Sequence, residues 1–207
     1  MTTTDITIVS KAMGLLRANT ISGFDDGSNE ADIASLYYDD FAKDILTRYP
    51  WSFATKTRQL NQDATPPVNK YRYSHIVPAE VLRIWALFSS DSVGATPIAD
   101  YDVVMADSGA RRIHSNYATL FMQYTVYPDE DNWPSYFVGF AFHAFAALVA
   151  KTVTDQDDLA ARLQMLAWGS PMENELGGKF GVACKVDAMQ KPGIMIQSSP
   201  LVDARFS

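Results

Sequence analysis

Residues 134–152 constrain this chain more than any other stretch. They carry Tyr136, Phe137, Val138, Phe140, Phe142, Phe145, Leu148 and Val149, so a helix here has almost no polar face. Such a helix has to be surrounded by protein. In a chain of 207 residues it either forms the centre of a helical body or packs partly against a neighbouring copy. Asp129-Glu130-Asp131-Asn132-Trp133-Pro134 marks its start, with acids ahead of the positive helix end and Pro134 near the first helical position. Its most apolar part, 136–150, is interrupted by Gly139 and His143 and falls about five residues short of the roughly 20 needed to cross a bilayer. It therefore reads as a buried helix, with no membrane partner.

Other helices are expected around it. Ile6, Val9, Met13 and Leu16 recur at helical spacing after Asp5, which predicts a capped helix over 6–18. The run Asp25-Asp26-Gly27-Ser28-Asn29 forms a turn and N-cap. A longer helix then extends to about Arg48, with Ala34, Tyr37, Tyr38, Phe41, Ile45 and Tyr49 as its apolar stripe, and pairs antiparallel with the first. Residues 155–168 predict another, with Leu159, Leu163 and Leu166, stopped by Gly169-Ser170-Pro171. A last helix, weakened at Gly177-Gly178, runs to about Met189.

Pro50 ends the second helix, because its ring clashes with the preceding turn and excludes the residue before it from the helical region. Beyond it, Trp51 and Phe53 point to one face of a strand or extended segment and Ser52 and Ala54 to the other. The two rings would pin helix to sheet. Alternation then predicts strands over 55–59, 71–76, 81–88, 101–105, 111–114 and 120–126, with a polar loop at 61–69. In 81–88, Ile84, Ala86 and Phe88 fall on one face and Trp85 and Leu87 on the other. The fold class is α+β: an antiparallel helical bundle from 1–50 and 128–190, an inserted, mainly antiparallel β region at 51–127, and an extended C-terminal arm at 191–207. The arm is too short to fold alone yet rich in apolar residues, so it docks either on its own domain or on another subunit.

The net charge of −7, from 24 acidic and 17 basic residues, argues against a grip on nucleic acid, which needs clustered Lys and Arg. The single cysteine, Cys184, excludes an intrachain disulfide and a Cys-rich zinc site. On its predicted helix it reads as a small hydrophobe. Met1-Thr2-Thr3-Thr4-Asp5 has no basic residue ahead of an apolar run, so it does not read as a secretory signal. There is no Gly-rich phosphate loop, GxSxG elbow or HExxH pair. His75, His114 and His143 lie far apart, and His143 reads as a satisfied core histidine. The acidic clusters at 25–26, 39–40, 129–131 and 155–158 fall at helix starts or on helix surfaces, where caps and solvation explain them. No catalytic residue, cofactor or metal is expected. The alternative is a glycan hydrolase using one of these carboxylate pairs.

The order of landmarks resembles the tail tubular protein A family, the head-to-tail adaptors of short-tailed bacteriophages. The landmarks are Ala12-Met13-Gly14-Leu15-Leu16, Thr20-Ile21-Ser22, the long helix, Tyr49-Pro50-Trp51-Ser52-Phe53-Ala54 and Val77-Pro78-Ala79-Glu80-Val81-Leu82-Arg83. Further on come the strand ending near Tyr127, the helix with 144–151, Val186-Asp187-Ala188-Met189 and a terminal Asp203-Ala204-Arg205. The resemblance spans nearly the whole chain. Glu80 is a mild departure from the family pattern, and 168–178 looks like an insertion between the last two helices.

The resemblance implies a structural protein of the virion head–tail junction, made in the bacterial host cytoplasm. It implies a homo-oligomeric ring, commonly of twelve copies, set between the portal protein and the tail nozzle protein. DNA would pass through the channel without specific binding, which suits the negative charge. The arm would reach the portal, with Leu201, Asp203, Ala204, Arg205 and Phe206 as the contacting residues. Pro50, Trp51, Phe53 and Arg83 would be structural anchors.

Overall fold

The computed structural model describes residues 3–92, 94–174 and 176–190. Among them are five α-helices and two antiparallel sheets, an α+β fold. The helices are α1 (Asp5–Leu15), α2 (Asn29–Thr47), α3 (Ser135–Thr154), α4 (Asp157–Trp168) and α5 (Gly178–Met189). The predicted arm, 191–207, and with it Leu201, Asp203, Ala204, Arg205 and Phe206, lies outside the described residues.

α3 is the axis of the helical part, and α1, α2, α4 and α5 all pack on it. Phe137, Phe140, Ala141, Phe145 and Ala150 are fully buried there. The helix is longer than the apolar stretch read from the sequence. At 20 residues and a mean hydropathy of 1.5 it has the length of a bilayer span, and half of it is buried inside the chain. Leu148 is an exception to the all-round burial, at 50% exposure. Pro134 stands next to the first helical position, as the N-cap of α3, and follows a 3-10 turn at Glu130–Asn132. Asp155 does not start α4. It closes α3 in the left-handed conformation, donating its N–H to Lys151 O.

α1 begins at Asp5, one residue before the predicted start, and its cap is Thr4 rather than Asp5. Thr4 and Thr7 cap each other reciprocally, which satisfies two otherwise unpaired backbone donors. The helix ends at Leu15 because Arg17 turns to a positive φ of 57°. It packs chiefly on α3 and less on α2. α2 is capped by Ser28, and its buried face is Ala31, Ala34, Tyr38, Phe41, Ala42, Ile45 and Leu46. Tyr37, placed in the stripe from sequence, is exposed.

Between α4 and α5, Gly169 adopts a φ of +89°, and Gly177 N donates back to Trp168 O at 3.0 Å. Gly178, at φ +55°, lies so close to α4 that a Cβ would stand 2.6 Å from Leu166 O. Both positions need glycine, the first for its conformation and the second for the approach of two helices as well.

The strands are β1 (Thr55–Gln59), β2 (Asn61–Gln62), β3 (Tyr73–Ile76), β4 (Arg83–Phe88), β5 (Tyr101–Met105), β6 (Arg111–Ser115) and β7 (Phe121–Thr125). One sheet has the order β1-β7-β4 and the other β2-β3-β6-β5. The chain therefore crosses between the sheets from β1 to β2, β3 to β4, β4 to β5 and β6 to β7, while β2–β3 and β5–β6 are neighbours within one sheet. Leu60, between β1 and β2, is one such corner, and its N–H donates to Leu120 O at 2.8 Å. The facing sides enclose Leu60, Val77, Val81, Leu87, Ile113, Leu120, Met122, Tyr124 and Val126.

Several expectations fail in this part. β2 lies at the start of the predicted polar loop 61–69, and β3 and β4 begin two residues later than expected, at Tyr73 and Arg83. Residues 51–54 are a turn, in which Ala54 N donates to Trp51 O at 3.1 Å, and the strand begins only at Thr55. The two-face alternation of 81–88 also breaks, because a bulge shifts the register between Ile84 and Ala86. Ile84 pairs with Tyr124 and Leu87 with Met122, so Ile84 and Leu87 share the core side despite odd spacing.

Candidate functional site: the junction at Trp51 and the base of the last helix

The candidate site is built where α2 stops. Trp51 N donates to Tyr49 O at 2.8 Å across Pro50, a three-residue turn that folds the chain sharply back. The carbonyls of the last helical turn need partners. Three are supplied by side chains: Thr47 Oγ1 donates to Asp44 O at 2.9 Å, Trp51 Nε1 to Ile45 O at 3.0 Å, and Arg83 Nη1 to Thr47 O at 2.6 Å. Arg83 comes from β4, so the same contact ties helix to sheet. Its guanidinium also lies over the Trp85 ring, 4.1 Å from the centroid. Trp85 is the bulged residue, and its Nε1 donates to Thr125 Oγ1 at 2.7 Å.

Trp51 is fully buried. Its ring lies 4.9 Å from Tyr49, 4.8 Å from Phe137 and 5.9 Å from Phe180, centroid to centroid, all edge-on. Rings from the turn, α3 and α5 thus meet at one indole in the geometry aromatic quadrupoles favour. Phe53 extends the group, 4.8 Å from Phe137. Trp168, at the end of α4, joins through Phe140 at 5.0 Å and carries the Arg48 guanidinium over its face. Pro50, Trp51, Phe53 and Arg83, the predicted anchors, are thus brought together at this junction.

Sequence reasoning missed the role of Asp187. This carboxylate is fully buried near the end of α5, on the same stripe as Phe180 and Ala183. It accepts from Ser52 N at 3.0 and 3.1 Å, from Ser52 Oγ at 2.7 Å and from Tyr136 OH at 2.7 Å. A buried carboxylate is tolerated only with such a set of donors. Burial, followed by the hydrogen bond to Asp187, pushes the Tyr136 phenol up to about 12. The tyrosine therefore stays a donor at neutral pH. Asp187 clamps the last helix to the Trp51 turn and to the start of α3, three residues before the end of the described chain at Gln190. The available signal was a carboxylate on an otherwise apolar helical stripe.

Other candidates sit elsewhere. Burial, then Asp187, pushes the Cys184 thiol up to about 12, which makes it inert as a nucleophile. His143 is half-buried with Nδ1 2.7 Å from Gly139 O, and burial lowers its pKa. His114 Nδ1 is 2.9 Å from Asn69 Nδ2, while His75 is fully buried in the β region. Among the acidic clusters, Asp26 accepts from Ser22 N, Ser28 N and Ser28 Oγ, Asp39 pairs with Lys43, and Asp157 with Lys151. Glu130 accepts from Tyr127 OH at 2.6 Å and Tyr38 OH at 3.4 Å. Among the described residues no group of three His, Cys, Asp or Glu side chains is placed to hold a metal. A comparison with family models and with curated protein sequences finds no match for this chain.

Proposed function

We propose that this chain is a structural adaptor of a short-tailed bacteriophage virion, of the tail tubular protein A kind. In this reading it forms a ring, commonly of twelve copies, that joins the portal to the tail nozzle and lets DNA pass. The observation that carries the reading is the clamp between Ser52 and Asp187. Three of the landmarks behind the resemblance, 49–54, 77–83 and 186–189, converge on one junction through Ser52, Arg83 and Asp187. That junction holds the last helix, which ends just before residues 191–207, against the aromatic centre of the helical core. An arm that transmits force from a portal needs such a root. The net charge of −7 further suits a wall past which DNA must slide.

The test is the mass of the purified protein, alone and mixed with its cognate portal ring, by native mass spectrometry. The expected outcome is a ring of copies on the portal, even from a monomeric starting material. Removing residues 194–207 is expected to abolish portal binding and leave the thermal unfolding of the domain unchanged. Unimpaired docking of the truncated chain would rule out the arm as the portal contact, and a chain that ignores the portal would rule out the adaptor.

A further inference from the structure

α5 is amphipathic in neither direction. Its inner stripe is Phe180, Ala183 and Asp187, but its outer side is also apolar, with Val182 57%, Val186 37% and Met189 82% exposed. At 100° per residue, Lys179, Val186, Val182, Met189 and Lys185 fall in that order within about 120° of the helix circumference. The outer face is thus an apolar centre with a lysine at each margin. α2 presents the counterpart. Leu36 is 70% exposed, flanked on one side by Asp32 and on the other by Asp40, with Lys43 two turns further on held in an ion pair by Asp39. α2 carries Glu30, Asp32, Asp39, Asp40 and Asp44 against Lys43, whereas the acid of α5, Asp187, faces inward. α2 and α5 each pack on α3 and have little contact with one another, so the two outer faces are separate surfaces of the body.

We infer that the outer face of α5 docks on the outer face of α2 of a second copy of this chain. Opposite charge around the exposed Leu36 on one face and Val182, Val186 and Met189 on the other selects this pairing and disfavours α2 on α2 or α5 on α5, which would set like charges together. A contact between two different faces leaves each copy with one face free at either end. It propagates head to tail and closes into a ring when the rotation allows. The inference rests on the ring reading and supplies the faces by which neighbours would meet. α5 is also the helix rooted by Asp187, so each arm would leave the body beside a subunit boundary.

Cysteine cross-linking tests the pairing in the full-length chain, with Cys184→Ser as background. Leu36→Cys and Val186→Cys are placed together and separately, and a short bismaleimide is added at high protein concentration. The double variant is expected to give a ladder of covalent multimers. A mixture of the two single variants is expected to stop at the covalent dimer, and neither single variant alone to cross-link. Absence of the ladder, or equal self-cross-linking by Val186→Cys alone, overturns the inference. A charge exchange gives an independent arm. Lys179→Glu with Lys185→Glu is expected to abolish the ladder, and adding Asp32→Lys with Asp40→Lys to restore it. Failure of restoration in a chain with native circular dichroism counts against the pairing. A ladder from a protein that does not bind the portal would keep this interface and discard the adaptor reading.

Discussion

The helical body and the β region solve the same problem with different materials. The helical core is built on large rings, and Trp51, Phe137, Phe140 and Phe180 touch across three segments of chain. Its buried charge, Asp187, meets donors from Ser52 and Tyr136. The β core is smaller and mostly aliphatic, with Leu87, Ile113, Leu120 and Met122 fully buried. It is held at its margins by arginines: Arg111 donates to Val81 O, and Arg112 pairs with Asp63 at 2.7 Å. Among the described residues the buried side-chain atoms without a partner, Thr55 Oγ1 and His75 Nδ1, both belong to this region. Rings shared among several elements fix how those elements meet. Aliphatic residues between sheets that exchange strands fix only that they meet, and leave orientation to bulges and side-chain ties.

The contrast can be broken most directly at its centre. Trp51→Ala is expected to cost about 3–5 kcal/mol, since it removes the buried indole and also uncovers the Ile45 carbonyl. Thermal or urea unfolding measures it, and a cost below about 1 kcal/mol would show that the ring cluster does not organise the helical body. Leu87→Ala in the β core leaves a smaller cavity and is expected to cost about 3 kcal/mol. If the two cores unfold as one unit, both variants keep a single transition seen alike by far-ultraviolet dichroism and tryptophan fluorescence. A second transition in either variant would separate them.

Asp187→Ala is expected to cost about 2 kcal/mol by stranding the Ser52 and Tyr136 donors while leaving the rings packed. Amide exchange sharpens this case, because protection should fall in α5 first and remain in α3. Uniform loss across all helices would mean that Asp187 supports the whole core rather than the last helix.

The smallest effect concerns acid. Hydrogen bonds from Ser28, first its side chain, and from Ser22 lower Asp26 from its ordinary 3.8 to about 2. The unfolded chain therefore binds this proton first as pH falls, so the contribution is fully present above 3.8 and is lost on acidification through about 2. Asp26→Asn is expected to lower the melting temperature slightly at neutral pH, with the gap to the wild type closing over that interval. A gap independent of pH would assign the effect to packing of the 22–28 turn and not to the charge.

Much of this fold was legible in the residues. A helix without a polar face has one stable place, and α3 occupies it. Pro50 and Gly169 stop helices for local steric and conformational reasons, and Ser28 caps α2 by a contact within three residues. The strands announced themselves by alternation, which reports only that successive side chains face opposite ways. That local rule cannot encode a bulge, so the inward side of β4 after Trp85 was decided by its pairing with β7. Nor could it distinguish a strand from the turn at 51–54, where Trp51 is drawn in by rings on α3 and α5. The clamp was the least legible feature of all. Ser52 and Asp187 stand 135 residues apart, and a carboxylate becomes a clamp only when folding removes water from it and brings the donors that replace that water.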